Sequence, residues 1–246
     1  LAFSEVLDQV MPSNLEITDV DQKNDTMVED LFRVMGLSFS YLGGADSLET
    51  LFETVGPKNY EILVYDRYSD LLLDKEQFTD AIEVYQRFIA LHPLSIFAPA
   101  YQIEVINTLG RAGFKQDILA EKVRFVEEYG LDSPYWQEHQ HDNLDFVYLQ
   151  LERLLPELAN RHYVIAQRAS AKTQKTKRLE NYRQAASYYE AFVEAFPQHD
   201  MAAESLLLIG ESRVQLGRWL AAIQAFEAAG YDYVRFGKAA EAAYAS

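Results

Sequence analysis

The sequence predicts an all-α chain, a stack of antiparallel helical hairpins with one long helix near the middle. Three observations carry this. Proline and glycine are scarce, 7 and 11 in 246 residues, which favours long helices over a turn-rich β fold. Helical hydrophobic period runs with little interruption from Met27 onward. A pattern of small, aromatic and proline residues also recurs at a fixed internal spacing.

Residues 1–26 read as an N-terminal segment: a short apolar start, then a polar, aperiodic linker from Met11 to Thr26. Residues 27–246 read as the helical array. Met27, Leu31, Val34, Met35, Phe39 and Leu42 fall at i, i+3/i+4 spacing, and Gly43-Gly44 stops that helix. A short helix is predicted over Ser47–Val55, after which Gly56-Pro57 resets the chain.

The repeat signal comes next. Ala81, Tyr85, Phe88 and Pro93 are spaced by four, three and five residues, and so are Ala185, Tyr189, Phe192 and Pro197. The two sets lie 104 residues apart, close to three periods of about 34. Ala222, Phe226 and Ala229 form a third copy, preceded by Leu206, Ile209, Gly210 and the turn residue Gly217. These residues resemble the tetratricopeptide repeat. In that family a small residue lets two helices approach, an aromatic fills the gap, and a proline ends the second helix. The resemblance implies an αα superhelix with first helices on its concave side. Repeats are expected to begin near Ile62, Ala100, Ala166 and Ala203, with regular blocks at about 62–130 and 179–230. The Ala100 copy departs from the pattern, with Leu119 at the small position.

Between Ser133 and Ala166 the period breaks. Leu144, Val147, Leu151, Leu155, Leu158, His162 and Ile165 keep one apolar face across Pro156. One long kinked helix is therefore expected from about His141 to Lys177. Tyr231–Ala245 reads as the opening helix of a further hairpin.

The joints Phe88-Ile89, Pro93, Ser95, Ala98 and Phe196-Pro197, Ala202-Ala203, Gly210-Glu211 resemble those of Gram-negative envelope repeat proteins. Outer-membrane assembly lipoproteins and the Tol-Pal coordinator are of this kind. The run Tyr60-Glu61, Tyr65, Ala81, Tyr85, Pro93, then Glu121-Lys122, Phe125-Val126, Tyr129-Gly130, Ser133 and Trp136 is similar to repeat lipoproteins of motility and surface machineries. The resemblance implies a non-catalytic adaptor in a membrane-associated complex, in the periplasm or at the outer membrane rather than in the cytoplasm. The sequence opens Leu1-Ala2-Phe3 without an initiator Met, so a processed or truncated chain is expected, from which a signal peptide or a membrane-attaching lipid anchor could have been removed.

A net charge of −16 argues against nucleic acid as the partner, because a phosphate backbone would be repelled. The absence of cysteine excludes a disulfide framework, thiolate catalysis and Cys-ligated zinc. No phosphate loop, GxSxG elbow or HExxH helix is present, so no catalytic residue is assigned and no cofactor is expected.

The repeat phase assigns a partner-binding groove to Leu63, Asp66, Asp70 and Leu73, then Tyr101, Glu104, Thr108 and Arg111, then Glu204, Leu207, Glu211 and Val214. Family members that grip a C-terminal carboxylate place Lys, Asn and Arg there. Asp66, Asp70 and Glu211 would repel one. A protein or peptide with some basic residues fits better. An architectural, self-associating role through open array ends is the alternative. Arg168, Lys172, Lys175 and Arg178 form a basic stripe at helical spacing, read as a solvated face or a contact for acidic groups. His139 and His141 beside Trp136 offer two imidazoles, but two residues apart they diverge on a helix, so no metal site is assigned. Asp19, Asp21, Asp25 and Asp30 lack the central glycine of a calcium loop. His162, on the apolar face of the long helix, reads as a satisfied core histidine.

Overall fold

A computed structural model of the chain describes residues 2–10, 25–233 and 244. All secondary structure among the described residues is helical. The chain divides into two compact units, Leu1–Phe125 and Val126–Ser246.

The first unit contains α1 (Ala2–Val10), α2 (Asp25–Leu42), α3 (Ala45–Val55), α4 (Glu61–Asp74), α5 (Phe78–Leu91) and α6 (Ala98–Ala112); α7 (Lys115–Tyr129) spans the division. Helix α2 pairs with α3 and α4 with α5, while α2 packs on α4 and α3 on α5. Like helices of successive hairpins thus lie side by side. The small position Ala81 is fully buried, and Tyr85 and Phe88 are buried with it. Phe88 meets the Tyr65 ring at 5.1 Å and the Tyr101 ring at 4.7 Å, both edge-on, so one side chain fills the gap between α4 and α6. Helix α1 belongs to this core. Its Leu7 is buried, and Asp8 accepts from Lys58 Nζ (2.8 Å) and from the Tyr60 hydroxyl (3.1 Å). Residues 11–24 of the predicted linker, Asp19 and Asp21 among them, lie outside the described residues; its last two residues, Asp25 and Thr26, open α2 instead.

The second unit contains α8 (Pro134–Glu138), α9 (Asp145–Arg168), α10 (Lys175–Ala195), α11 (Ala202–Gln215), α12 (Trp219–Glu227) and a π-helical turn over Ala228–Asp232. Helix α9 pairs with α10 and α11 with α12, and α10 packs on α11. The single helix expected from His141 to Lys177 is a helical hairpin instead. Helix α9 does continue through Pro156, but it stops at Arg168, and Ala169 is extended (φ −71°, ψ 131°). Ser170 and Gln174 explain the stop. Ser170 Oγ accepts from the Thr173 N–H, and the Ser170 N–H donates to Gln174 Oε1 at 3.2 Å, bonds that compete with the helical ladder. Beyond Ala169 the residues to Lys177 are exposed, so no apolar face remains to hold a helix together. Ala166 therefore sits in the last turn of a first helix, not at the start of a repeat.

Two further differences concern the ends. Tyr231 and Asp232 lie in the π turn that prolongs α12 and do not open a new helix; residues 234–243 lie outside the described residues. Ala45 starts α3, two residues before the expected Ser47.

Four of the hairpin turns share one geometry. The last residue before the second helix donates its N–H five residues back: Gly44 to Phe39 O, Gln77 to Leu72 O, Phe114 to Leu109 O and Arg218 to Arg213 O. This bond needs a left-handed residue. Gly113 and Gly217 supply it at φ 79° and 72°, whereas the α4–α5 turn uses Glu76 at φ 57°.

Candidate partner-binding face

First helices α4 and α6 in the first unit, and α11 in the second, hold the residues assigned to the groove.

On α4, Leu63, Asp66 and Leu73 are half-buried and Asp70 is exposed. On α6, Glu104 is half-buried and Arg111 is exposed, but Tyr101 and Thr108 are buried. The Thr108 hydroxyl faces the interior, because a first helix in a stack buries part of the face that the repeat phase assigns to the groove. Arg111 lies over the Phe78 ring at 5.3 Å. The Tyr101 hydroxyl donates to Asp66 Oδ1 at 2.6 Å and also lies within bonding distance of the Ile62 carbonyl at 3.2 Å. Tyr101 thereby latches α6 to α4. Burial first, then the Asp66 charge, hold the Tyr101 phenol far above its ordinary range.

Asp66 itself is raised above the usual carboxylate value, chiefly by burial, against the lowering effect of the Tyr101 bond; Asp70 and Glu104 push it further up. Asp70 is raised by burial and by Asp74, with Arg67 acting in the other direction. Arg67 and Asp70 approach to 3.9 Å across the helix surface. The face is therefore a set of carboxylates within electrostatic reach of one another and incompletely neutralised.

On α11, Glu204 and Glu211 are exposed, Val214 is half-buried and Leu207 is buried against Phe226 and Ala222. Leu207 therefore serves the core of the last hairpin and presents nothing to a groove. Glu211 accepts from the Tyr163 hydroxyl of α9. Tyr163 is thus the counterpart of Tyr101: in each unit a tyrosine on one first helix bonds a carboxylate on a neighbouring first helix, the preceding one for Tyr101 and the following one for Tyr163. Tyr189, pushed up to about 12 mainly by burial, also feels Glu204.

The basic stripe does not exist as one helix face. Arg168 ends α9, Lys172 lies in the turn, and Lys175 and Arg178 open α10. The break at Ala169 separates them. Arg178 donates to Gln215 Oε1 at 2.7 Å and lies over the Tyr182 ring. His139 bonds Asp142 Oδ2 at 2.6 Å and packs on the Tyr135 ring, while His141 is exposed. Among the described residues no group of three or more His, Cys, Asp or Glu could hold a metal ion. His162 Nδ1 bonds Asn181 Oδ1 at 2.9 Å, and its ring is stacked on Tyr188.

Sequence reasoning missed the tyrosine–carboxylate latches. It also missed two histidine pairs near the ends of second helices: His92 Nε2 to Glu61 Oε1 at 2.9 Å and His199 Nε2 to Glu152 Oε1 at 3.2 Å. Each ties the end of a hairpin to the first helix of the same hairpin. The signal existed, since His92 and His199 both flank the repeat proline.

Among the described residues no helix is long and apolar enough to cross a membrane. No curated protein matches the chain. Residues 177–232, covering nearly all of α10, then α11, α12 and the π turn, match the family model described as a tetratricopeptide repeat, so this part of the all-α array carries such a repeat.

Proposed function

We propose that the chain is a non-catalytic scaffold whose first-helix faces bind a protein segment containing basic residues, within a complex associated with the bacterial envelope. Tetratricopeptide repeats generally mediate contacts between proteins, and residues 177–232 match that family. The observation that carries the choice of partner is the placing of Asp66 and Asp70 on α4 and Glu104 on α6, where Asp70 and Glu104 both add to the raising of Asp66. Cationic side chains placed between them relieve that repulsion, and apolar neighbours such as Leu63 and Leu73 accept the stems of those side chains. The envelope setting rests on the likeness of the joints around Pro93 and Pro197 to envelope repeat proteins.

The test is fluorescence anisotropy with a labelled panel of basic, neutral and acidic peptides. Basic peptides are expected to bind best, and more weakly as salt rises. The double change Asp66→Lys, Asp70→Lys should weaken them at least about tenfold. Equal binding of all three classes, or no effect of the double change, refutes the face assignment.

A further inference from the structure

We propose that a pocket in the second unit receives one lysine or arginine side chain of a partner polypeptide. The proposal deepens the protein-binding reading above and is tested apart from it.

The pocket has a volume of about 260 Å³ and is walled by the end of α7 with the following joint, by α9, and by the end of α10. Its apolar lining comes from the half-buried Val126, Leu131, Ala191 and Ala195, over the buried Leu151 and Leu155 of α9. Glu127, Asp132 and Glu194 line it and are exposed, so the pocket opens to solvent between carboxylates. Among the described residues none of these three has an ion-pair partner.

Two helices also end at this pocket. Glu127 lies in the last turn of α7 and Glu194 in the last turn of α10. The last carbonyls of a helix lack intrahelical partners, and together they act as roughly half a negative charge. Lysine or arginine in the last turn commonly offsets this, yet neither α7 nor α10 has a basic residue there. Two helix C-termini and three unpaired carboxylates thus surround one apolar-floored cavity. Such a field selects a cation.

The shape of the site selects which cation. The described residues offer no group of three or more His, Cys, Asp or Glu that could hold a metal ion. A long side chain that buries a methylene stem against the half-buried Val126, Ala191 and Ala195 and leaves its charged head among Glu127, Asp132 and Glu194 matches both parts of the lining. A free polyamine would satisfy the charge but would not use the apolar floor in the same way.

The test uses the whole chain, labelled with nitrogen-15, and follows its backbone amides in two-dimensional spectra. The probes are acetyl-Ala-Ala-Arg-Ala-Ala-amide, its neutral citrulline counterpart, and spermine. The arginine peptide should shift the amides of Gly130, Leu131 and Ala195 saturably, while the citrulline peptide should not. The exposed pair Glu127→Gln, Glu194→Gln should weaken the arginine peptide at least about fivefold without altering the rest of the spectrum. The Asp66→Lys, Asp70→Lys chain should bind the peptide at this pocket as the unaltered chain does, so the two readings can fail separately. Equal shifts from the citrulline peptide, indifference to the Glu→Gln pair, or spermine saturating the same amides at a tenth of the peptide concentration would each overturn the proposal.

Discussion

Replacing Gly210 with alanine asks whether the last hairpin is held by close approach of its helices. Gly210 lies in α11 and is buried against Phe226 of α12. A Cβ added there would lie 2.3 Å from Phe226 Cε1, 2.5 Å from Cδ1 and 2.8 Å from Cζ. Ordinary carbon contacts need about 3.5–4.0 Å, so the ring must move by roughly 1 Å or more. The ring has little room, since Leu207, Ala222 and Ala229 pack in the same cluster. Overpacking of this kind costs ~1–3 kcal/mol, and three overlapping ring atoms place the cost towards the upper end. Alanine returns up to ~1 kcal/mol through helix propensity. The net expectation is a loss of ~1–2 kcal/mol. Gly110 in α6 provides the control, because a Cβ there meets nothing within 4 Å. Gly110→Ala should therefore stabilise by ~0.5–1 kcal/mol. Urea denaturation followed by circular dichroism reads both. Phe226→Leu should cost less in the Gly210→Ala chain than alone, because it vacates the overlapping volume. If Gly210→Ala raises the midpoint as Gly110→Ala does, the close-approach argument fails.

Tyr101→Phe should lower stability by ~1–3 kcal/mol, because it leaves the half-buried Asp66 carboxylate without its hydroxyl donor. Adding Asp66→Asn should reduce that loss, as a denaturation cycle of the four chains would show. Burial raises the Asp66 pKa in the folded state, so the folded chain holds that proton more readily than the unfolded one. Its stability cost is absent below the ordinary carboxylate pKa and complete above the raised value. Lowering the pH from 7 towards 4 should thus favour the unaltered chain relative to Asp66→Asn; a constant difference would contradict the burial argument. Glu76→Gly should stabilise by ~0.5–1 kcal/mol, measured by the shift in urea midpoint, because it relieves a left-handed non-glycine residue in a turn where α6–α7 and α11–α12 use glycine.

The hairpin architecture was legible because it depends on residues with a strong local signature. Ala81, Tyr85 and Phe88 are buried together, as are Ala185, Tyr189 and Phe192, and both prolines follow helix ends. The break at Ala169 was not legible, because the apolar face of α9 runs across Pro156 to Ile165 and no proline or glycine follows before Lys177 to mark a stop. What decides the stop is a pair of side-chain bonds at Ser170 and Gln174, which leave no periodic trace. The basic stripe then lost its basis, since helical spacing has meaning only along one helix. The burial of the residues assigned to the groove was legible only in part. Periodicity located the first helices but could not say how deeply neighbours would cover them, so Tyr101, Thr108 and Leu207 proved to be core. The latches from Tyr101 and Tyr163 join residues 35 and 48 positions apart and carry no local signal.

The use of basic residues accounts for where the negative surfaces remain. The chain has 22 lysines and arginines against 38 aspartates and glutamates. Several of the cations hold helices to one another: Lys58 binds Asp8 of α1, Arg87 of α5 bridges Asp46 and Glu49 of α3, and Arg213 of α11 binds Glu190 of α10. Each such pair neutralises carboxylates at a helix contact, where packing already restrains the side chains and the entropic cost of pairing is small. Cations engaged there do not neutralise Asp66, Glu127 or Glu194, and Asp70 meets Arg67 at 3.9 Å. The cationic groups of a partner would supply what the intramolecular pairs leave unbalanced. Their attraction would also be the part of the binding energy that added salt weakens most directly.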